Sequence, residues 1–229
     1  MWVALHDGDW DTFDMGEPAS KGLEDIAESG NTAAMTDLFD TFLSNGGGVY
    51  QATLPGGTPP GTSQQHDFTI DVPNPADGLY FSYASMIVPS NDAFIGNNNP
   101  TAYPVIQRGS GNTLRLEFTI GGNGVYDAGT ELNDEVVGNA AIPGSGVPPT
   151  GGEPGEGSVQ FHPGFVDGGN ILSQFPLADF TAPGTVIAKI IVIINIGDQG
   201  PFLGAGSFAD PHFKLWNKKW YGESSFVAD

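Results

Sequence analysis

YFSYASMIVPSNDAFIG, residues 80–96, decides how this chain is read, because it joins the strongest core strand to the most chemically suggestive loop. From Leu79 to Val88 the run is apolar and aromatic, with Ser82, Ala84 and Ser85 interleaved, which suits a strand covered on both faces. Pro89 cannot donate to a ladder and ends it. Ser90-Asn91-Asp92 are turn formers whose side chains can bond local backbone, so Asp92 is expected on a rigid loop at a sheet's end. Phe94 and Ile95 then return to the core.

A second stretch answers the first. VYDAGTELNDE, residues 125–135, holds Asp127, Glu131, Asp134 and Glu135, and with Asp92 beside them five carboxylates would meet. Like charges at that density raise one another's pKa and call for a counter-cation. Ca²⁺ takes roughly six to eight oxygens from carboxylates, backbone carbonyls and water, and two Asp- and Gly-rich loops supply them without His or Cys. The bland reading is that the acids solvate loops and cap turns.

In this order the two stretches resemble the hallmark strand, loop and acidic loop of the spondin N-terminal domain family, in its bacterial-type form. Gly16-Glu17-Pro18-Ala19-Ser20 with Ala27-Glu28-Ser29-Gly30 is similar to that family's early signature, and His162-Pro163-Gly164-Phe165 to a late one. The resemblance covers roughly residues 3–196. It implies an all-β fold, a C2-like antiparallel β-sandwich with one or two short helices, whose end loops bind Ca²⁺ and which serves adhesion or extracellular-matrix contacts rather than turnover. It supports Asp92, Asp127 and Glu131 as metal ligands. Asp134 and Glu135 are lesser candidates, and a backbone carbonyl near Ile87 or Val88 is a further one. Two departures stand out. Family members carry a strand before the point where Met1 stands, so the chain reads as a trimmed piece, and the disulfides of animal members are missing.

Composition bounds the function. The 229 residues are enough for one real core, and 34 Gly and 18 Pro beside 15 Phe suit a packed, loop-rich β protein. The net charge of −20, with only seven Lys and Arg, repels phosphate backbones and anionic lipid, which excludes nucleic acid and direct membrane insertion as first readings. Cysteine is absent, so thiolate metal sites are excluded and the redox compartment cannot be read. No leader and no apolar run of about 18 residues is seen, and Val186 to Ile196, interrupted by Lys189 and Asn195, reads as a strand.

Along the chain, Trp2-Val3-Ala4-Leu5 is a short strand candidate. Asp7, Asp9 and Asp11 have the spacing that opens an EF-hand loop, but Thr12 and Pro18 stand where such a loop needs Gly and Glu, leaving a solvated acidic turn or a second ion. Ser20 caps a helix to about Glu28 with Gly30 as stop, and Thr32 caps another in which Met35, Leu38, Phe39, Phe42 and Leu43 form one face, ended by Gly46-Gly47-Gly48. Residues 55–63 read as an exposed loop, His66 to Val72 as a half-buried strand ended by Pro73-Asn74-Pro75, and Thr113 to Ile120 as a strand with its apolar residues on even numbers. Residues 138–157 read as a surface loop. His6, His66, His162 and His212 lack zinc spacing and read as structural, with His162 orienting a turn.

The expected organisation is a β-sandwich over residues 1–196, followed by a linker or tail over 197–229. That tail resembles, over about a dozen residues from Ala209, the start of a von Willebrand type D-like module, and could instead pack back on the sandwich. The function expected is a secreted, extracellular Ca²⁺-binding adhesion or matrix-interaction module, non-enzymatic, with a protein or glycan ligand. The alternative is a self-assembling subunit of an extracellular layer or filament, since a missing first strand would leave an open sheet edge. A carbohydrate-active hydrolase would need its carboxylate pair across an aromatic cleft, and Trp2, Trp10, Trp216 and Trp220 do not neighbour the acidic loops in sequence.

Overall fold

The computed structural model describes residues 1–54, 63–69, 79–106, 113–137, 155–195 and 212–218. The loop read at 55–63 apart from Ser63, which opens a strand, the loop read at 138–157 apart from 155–157, the stop at 73–75, and the tail apart from 212–218 lie outside the described residues. Among the described residues the chain is mostly strand, in two antiparallel sheets with three short α-helices, one more than expected. None of these helices is long and apolar enough to cross a membrane.

The first sheet is organised on β1 (Trp2–His6), which is buried along its whole length. It pairs with β2 (Gly48–Thr53) on one side and with β4 (Leu79–Met86) on the other. Beyond β4 come β5 (Ala93–Gly96), β8 (Tyr126–Asp127) and β9 (Gln160–Phe161), while β6 (Pro104–Ile106) pairs with the start of β4. The second sheet runs in the order β3 (Ser63–Thr69), β11 (His212–Lys218), β10 (Val186–Asn195), β7 (Thr113–Gly121). Thus part of the chain's last stretch, β11, pairs with both β3 and β10.

Alternation along β1 explains its burial on two sides. Trp2 and Ala4 join Ala84, Phe94, Leu23, Ile26, Met35 and Phe39 in a core between sheet and helices. Val3 and Leu5 join Phe81, Tyr83, Ile120, Ile187, Ile190 and Val192 in a core shared with the second sheet. In β7 the alternation is visible directly: Leu116, Phe118 and Ile120 are half-buried or buried, Glu117 and Thr119 exposed. Tyr103 stacks on Phe118 at 3.9 Å between ring centroids, and Phe118 lies against Tyr83.

The helices follow local chemistry. In α1 (Lys21–Ser29) the Ser20 hydroxyl accepts from Leu23 N at 3.2 Å, and Gly30 closes the helix in the left-handed region at φ 70°. For α2 (Ala33–Ser44) the expected cap differs. Thr32 gives no side-chain cap, because its hydroxyl bonds Thr53 at 2.6 Å, and the Asn31 side chain accepts from Ala33 N instead. Of the expected apolar face, Met35 and Phe39 are buried and Leu38 is 43% exposed. α3 (Asn170–Gln174) is a single turn with Ile171 inside.

A buried polar chain crosses the first sheet. His6 Nδ1 accepts from Gly8 N at 3.1 Å, so the ring proton sits on Nε2, which donates to Ser82 Oγ at 2.8 Å. Asn97 donates to the same oxygen and accepts from Tyr83 N. Burial holds the His6 pKa down at about 4.

Candidate metal and ligand site at one sheet end

The pairing of β5 with β8 sets Ala93 opposite Asp127, and this two-residue register places Asp92 beside it. Around Asp92 the loop is closed by short bonds. Ser90 Oγ donates to Ile87 O at 2.6 Å and accepts from Ala93 N at 3.0 Å, while Ile87 N donates to Ala93 O. Asn91 reaches across rather than locally, donating its amide hydrogens to the carbonyls of Glu131 and Leu132. Ile87 O, one of the expected backbone ligands, is therefore already engaged by Ser90.

Asp92 and Asp127 are both fully buried. Asp92 Oδ2 accepts from the backbone of Thr130 at 2.9 Å and Glu131 at 3.0 Å, and from the Thr130 hydroxyl at 3.3 Å. Asp92 Oδ1 is buried and has no hydrogen-bond donor. Asp127 accepts from Gly129 N at 2.7 Å and from the Asn133 amide. The two carboxyls bear on each other's protonation. Burial, then the charge of Asp127, pushes the Asp92 pKa up to about 7 against the pull of the backbone donors. Burial also raises Asp127, and Glu156 adds to it.

Of the expected acids, Glu131 is buried next to this pair, its backbone bonded to Asp92. Asp134 and Glu135 accept from other backbone amides. Asp134 Oδ1 accepts from Val136 N in a local turn. Glu135, at φ 58°, holds Val166 N at 2.8 Å and Ile171 N at 3.2 Å, and so fastens the acidic loop to α3. Glu135→Gln leaves one acceptor of two, and is expected to cost about 1 kcal/mol. Thermal unfolding should show a fall of roughly 2–4 °C, with any Ca²⁺ response kept; loss of that response would make Glu135 a ligand rather than a fastener.

Two further acids belong to this end. Burial raises the Glu28 carboxyl near the end of α1, the nearby Thr130 hydroxyl opposes that, and the charge of Glu131 adds to it. Glu156 acts on Asp127. Glu28 carried a visible signal as part of Ala27-Glu28-Ser29-Gly30, whereas Glu156, inside a Pro/Gly stretch, carried none. At the other positions raised from the sequence, Asp7 Oδ1 accepts from Asp9 N in a local turn, and Asp11 is pushed up by burial and by Asp14 and Asp9. Trp2 and Trp10 sit against Phe39 in the helix-side core.

His162 stands beside the start of the acidic stretch, its backbone N–H on Val125 O. Its Nδ1 accepts from Gly164 N at 3.0 Å, so it does orient the turn, and its ring packs edge-on against Phe165 and Phe180. Burial holds its pKa at about 4.

Among the described residues, no group of three or more His, Asp or Glu side chains is arranged as a metal-ligand cluster. The donor set that does converge is Asp92 with Asp127, all oxygen, with one buried oxygen lacking a donor. That chemistry fits a hard cation better than a zinc-type ion. Comparison of the chain with family models, with curated proteins and with solved structures found no match.

Proposed function

We propose that this chain is a Ca²⁺-binding, non-enzymatic interaction module, secreted or displayed outside the cell, built as the C2-like β-sandwich that its resemblance to spondin N-terminal domains implies. The observation that carries the ion reading is the buried Asp92–Asp127 pair, in which one Asp92 oxygen has no donor. Two carboxylates taken out of water side by side repel each other, and a shared proton or a cation relieves that repulsion. Asp92, Asp127 and Glu131 would hold Ca²⁺ through carboxylate oxygen, with water and a backbone carbonyl other than the engaged Ile87 O completing the shell. The ion would supply charge neutralisation and order to the two loops.

The adhesion reading comes from the resemblance, and the segments that carry the resemblance lie close together. Glu28 from the early motif, Asp92 from the strand and loop, and residues 127–131 from the acidic loop are neighbours at one end of the first sheet. His162 from the late motif donates its backbone N–H to Val125, at the start of the acidic stretch.

Thermal unfolding in chelator, in Ca²⁺ and in Mg²⁺ tests the ion site. At ten times its Kd the ion stabilises by about 1.4 kcal/mol, a rise of roughly 3–6 °C for a chain of this size. Asp127→Asn should abolish the rise. An unchanged melting temperature, or an equal rise with Mg²⁺, would sink the Ca²⁺ assignment.

A further inference from the structure

Beside the acid pair lies a cavity of about 320 Å³, at the small end of the range for ligand pockets. Ser90 and Asn91 form one wall, residues 133–136 another, and residues 163–166 with Ile171 the third. Its apolar part is open to solvent: Val136 and Val166 are 47% and 61% exposed, with Phe165 half-buried behind them.

The polar part of the lining is one-sided. The Ser90 hydroxyl gives its hydrogen to Ile87 O, Asn91 gives both amide hydrogens to Glu131 and Leu132, and Asn133 gives one of its two to Asp127. What these side chains retain for a visitor is mainly acceptor capacity, in the amide oxygens of Asn91 and Asn133. Asp134 and Glu135 add negative charge to the same rim. An anion would meet repulsion there, and a neutral apolar group would leave the acceptors dry. A donor-rich cationic head on an aliphatic stem satisfies both parts, as lysine and arginine do when the stem lies on apolar surface. The chain's net charge of −20 favours such a partner at long range.

We propose that this groove docks a basic side chain of a partner protein, its stem along Val136, Phe165 and Val166 and its head against Asn133, Asp134 and Glu135. The inference rests on the reading of the chain as an interaction module and names the chemistry of the partner; it does not require the ion.

The test uses the full chain at 0.15 M NaCl and a fluorescein-labelled octapeptide of alternating Lys and Val, read by fluorescence anisotropy, with the Nε-acetylated peptide as control. Saturable binding is expected, lost on acetylation. Val136→Ser with Val166→Ser, both at exposed positions and both leaving net charge unchanged, should weaken it about tenfold, as expected for apolar contact of this extent. Asp134→Asn should weaken it about threefold, and Asp37→Asn, which removes an exposed charge on α2, should leave it unchanged.

Absence of saturable binding would overturn the proposal. So would an equal loss from Asp37→Asn and Asp134→Asn with none from the valine pair, the mark of unspecific charge attraction. Ca²⁺-dependent melting recorded on the same samples separates the two readings: a retained Ca²⁺ response without peptide binding removes the groove alone, and peptide binding without a Ca²⁺ response removes the ion site alone.

Discussion

Asp92→Asn is expected to raise the melting temperature in chelator at pH 8 while erasing the response to Ca²⁺, two effects of opposite sign from one atom. In the ion-free protein Asp92 is ionised at that pH against burial and against Asp127, with a folded pKa of about 7 where an ordinary aspartate has 3.8. Asparagine keeps an oxygen for the Thr130 and Glu131 donors, replaces the oxygen that has none, and removes the charge that Asp127 opposes. Each pKa unit is about 1.4 kcal/mol. Allowing for the pair's mutual dependence, a gain of about 2 kcal/mol is expected, or roughly 4–8 °C.

The pH dependence has a definite sign. A folded pKa raised from 3.8 to about 7 means that the native state holds its proton better than the unfolded chain. The stability this contributes is fully present below about pH 3.8 and is lost as pH rises through about 7. The advantage of Asp92→Asn over the wild-type protein should therefore grow between pH 4 and 7 and level off above. His6 and His162, both near 4 in the fold against 6.5, work the other way, destabilising as pH falls from 6.5 towards 4. They do so in both proteins, so the difference curve isolates Asp92. A variant that melts below wild type in chelator at pH 8 would mean that the ionised carboxylate is well compensated without an ion. A Ca²⁺ rise that survives the substitution would remove Asp92 from the ligand set.

How much of this was legible in the sequence depends on the distance over which the deciding interaction acts. α1 was readable because its cap and stop are local: Ser20 and Gly30 act within a few residues of the helix. β4 and β7 were readable from composition and alternation, since burial on two faces or one is written into consecutive side chains. β2 was not anticipated. Its residues 48–53 are half-buried for most of their length, and β1 rather than their own pattern makes them a strand. The Thr32 cap failed for the same reason, a competing bond from Thr53, more than twenty residues away. In the candidate site, acid density pointed to five carboxylates, and the resemblance to spondin N-terminal domains favoured Asp92, Asp127 and Glu131 among them. What could not be read was how the neighbouring donors divide among them, because that follows from the Ala93–Asp127 register of two very short strands. Asp134 and Glu135 share the same acidic stretch, yet the backbone amides of residues 136, 166 and 171 engage them instead.

The acidic loop is also held by a seam of glycines, and Gly129→Ala should be among the most damaging single-methyl changes in the chain. Gly129 sits at φ 68°, and a Cβ there would lie 2.3 Å from Ser158 O and 2.7 Å from Ser158 N, both backbone atoms that cannot swing aside. Across the seam Gly157 N donates to Gly129 O at 2.8 Å, Gly155 N donates to Thr130 O at 3.2 Å, and Gly129 N holds Asp127. The left-handed backbone costs an L-residue about 1–2 kcal/mol, and forcing a methyl into packed surroundings about 1–3 kcal/mol more. A loss of about 3 kcal/mol is expected, a fall of roughly 6–12 °C in melting temperature. Gly157→Ala is the matched control. Its φ of 85° carries the same backbone cost, but nothing lies within 4 Å of the added methyl, so a fall of only about 1–2 kcal/mol is expected. The difference between the two variants measures the seam itself. Because Gly129 also sets Asp127, Gly129→Ala should shift the Ca²⁺ midpoint of the unfolding curve to higher concentration, whereas Gly157→Ala should move it less. Equal losses in the two alanine variants would show that the seam opens freely, and that the register of β5 with β8, rather than the glycine contact, holds the acid pair together.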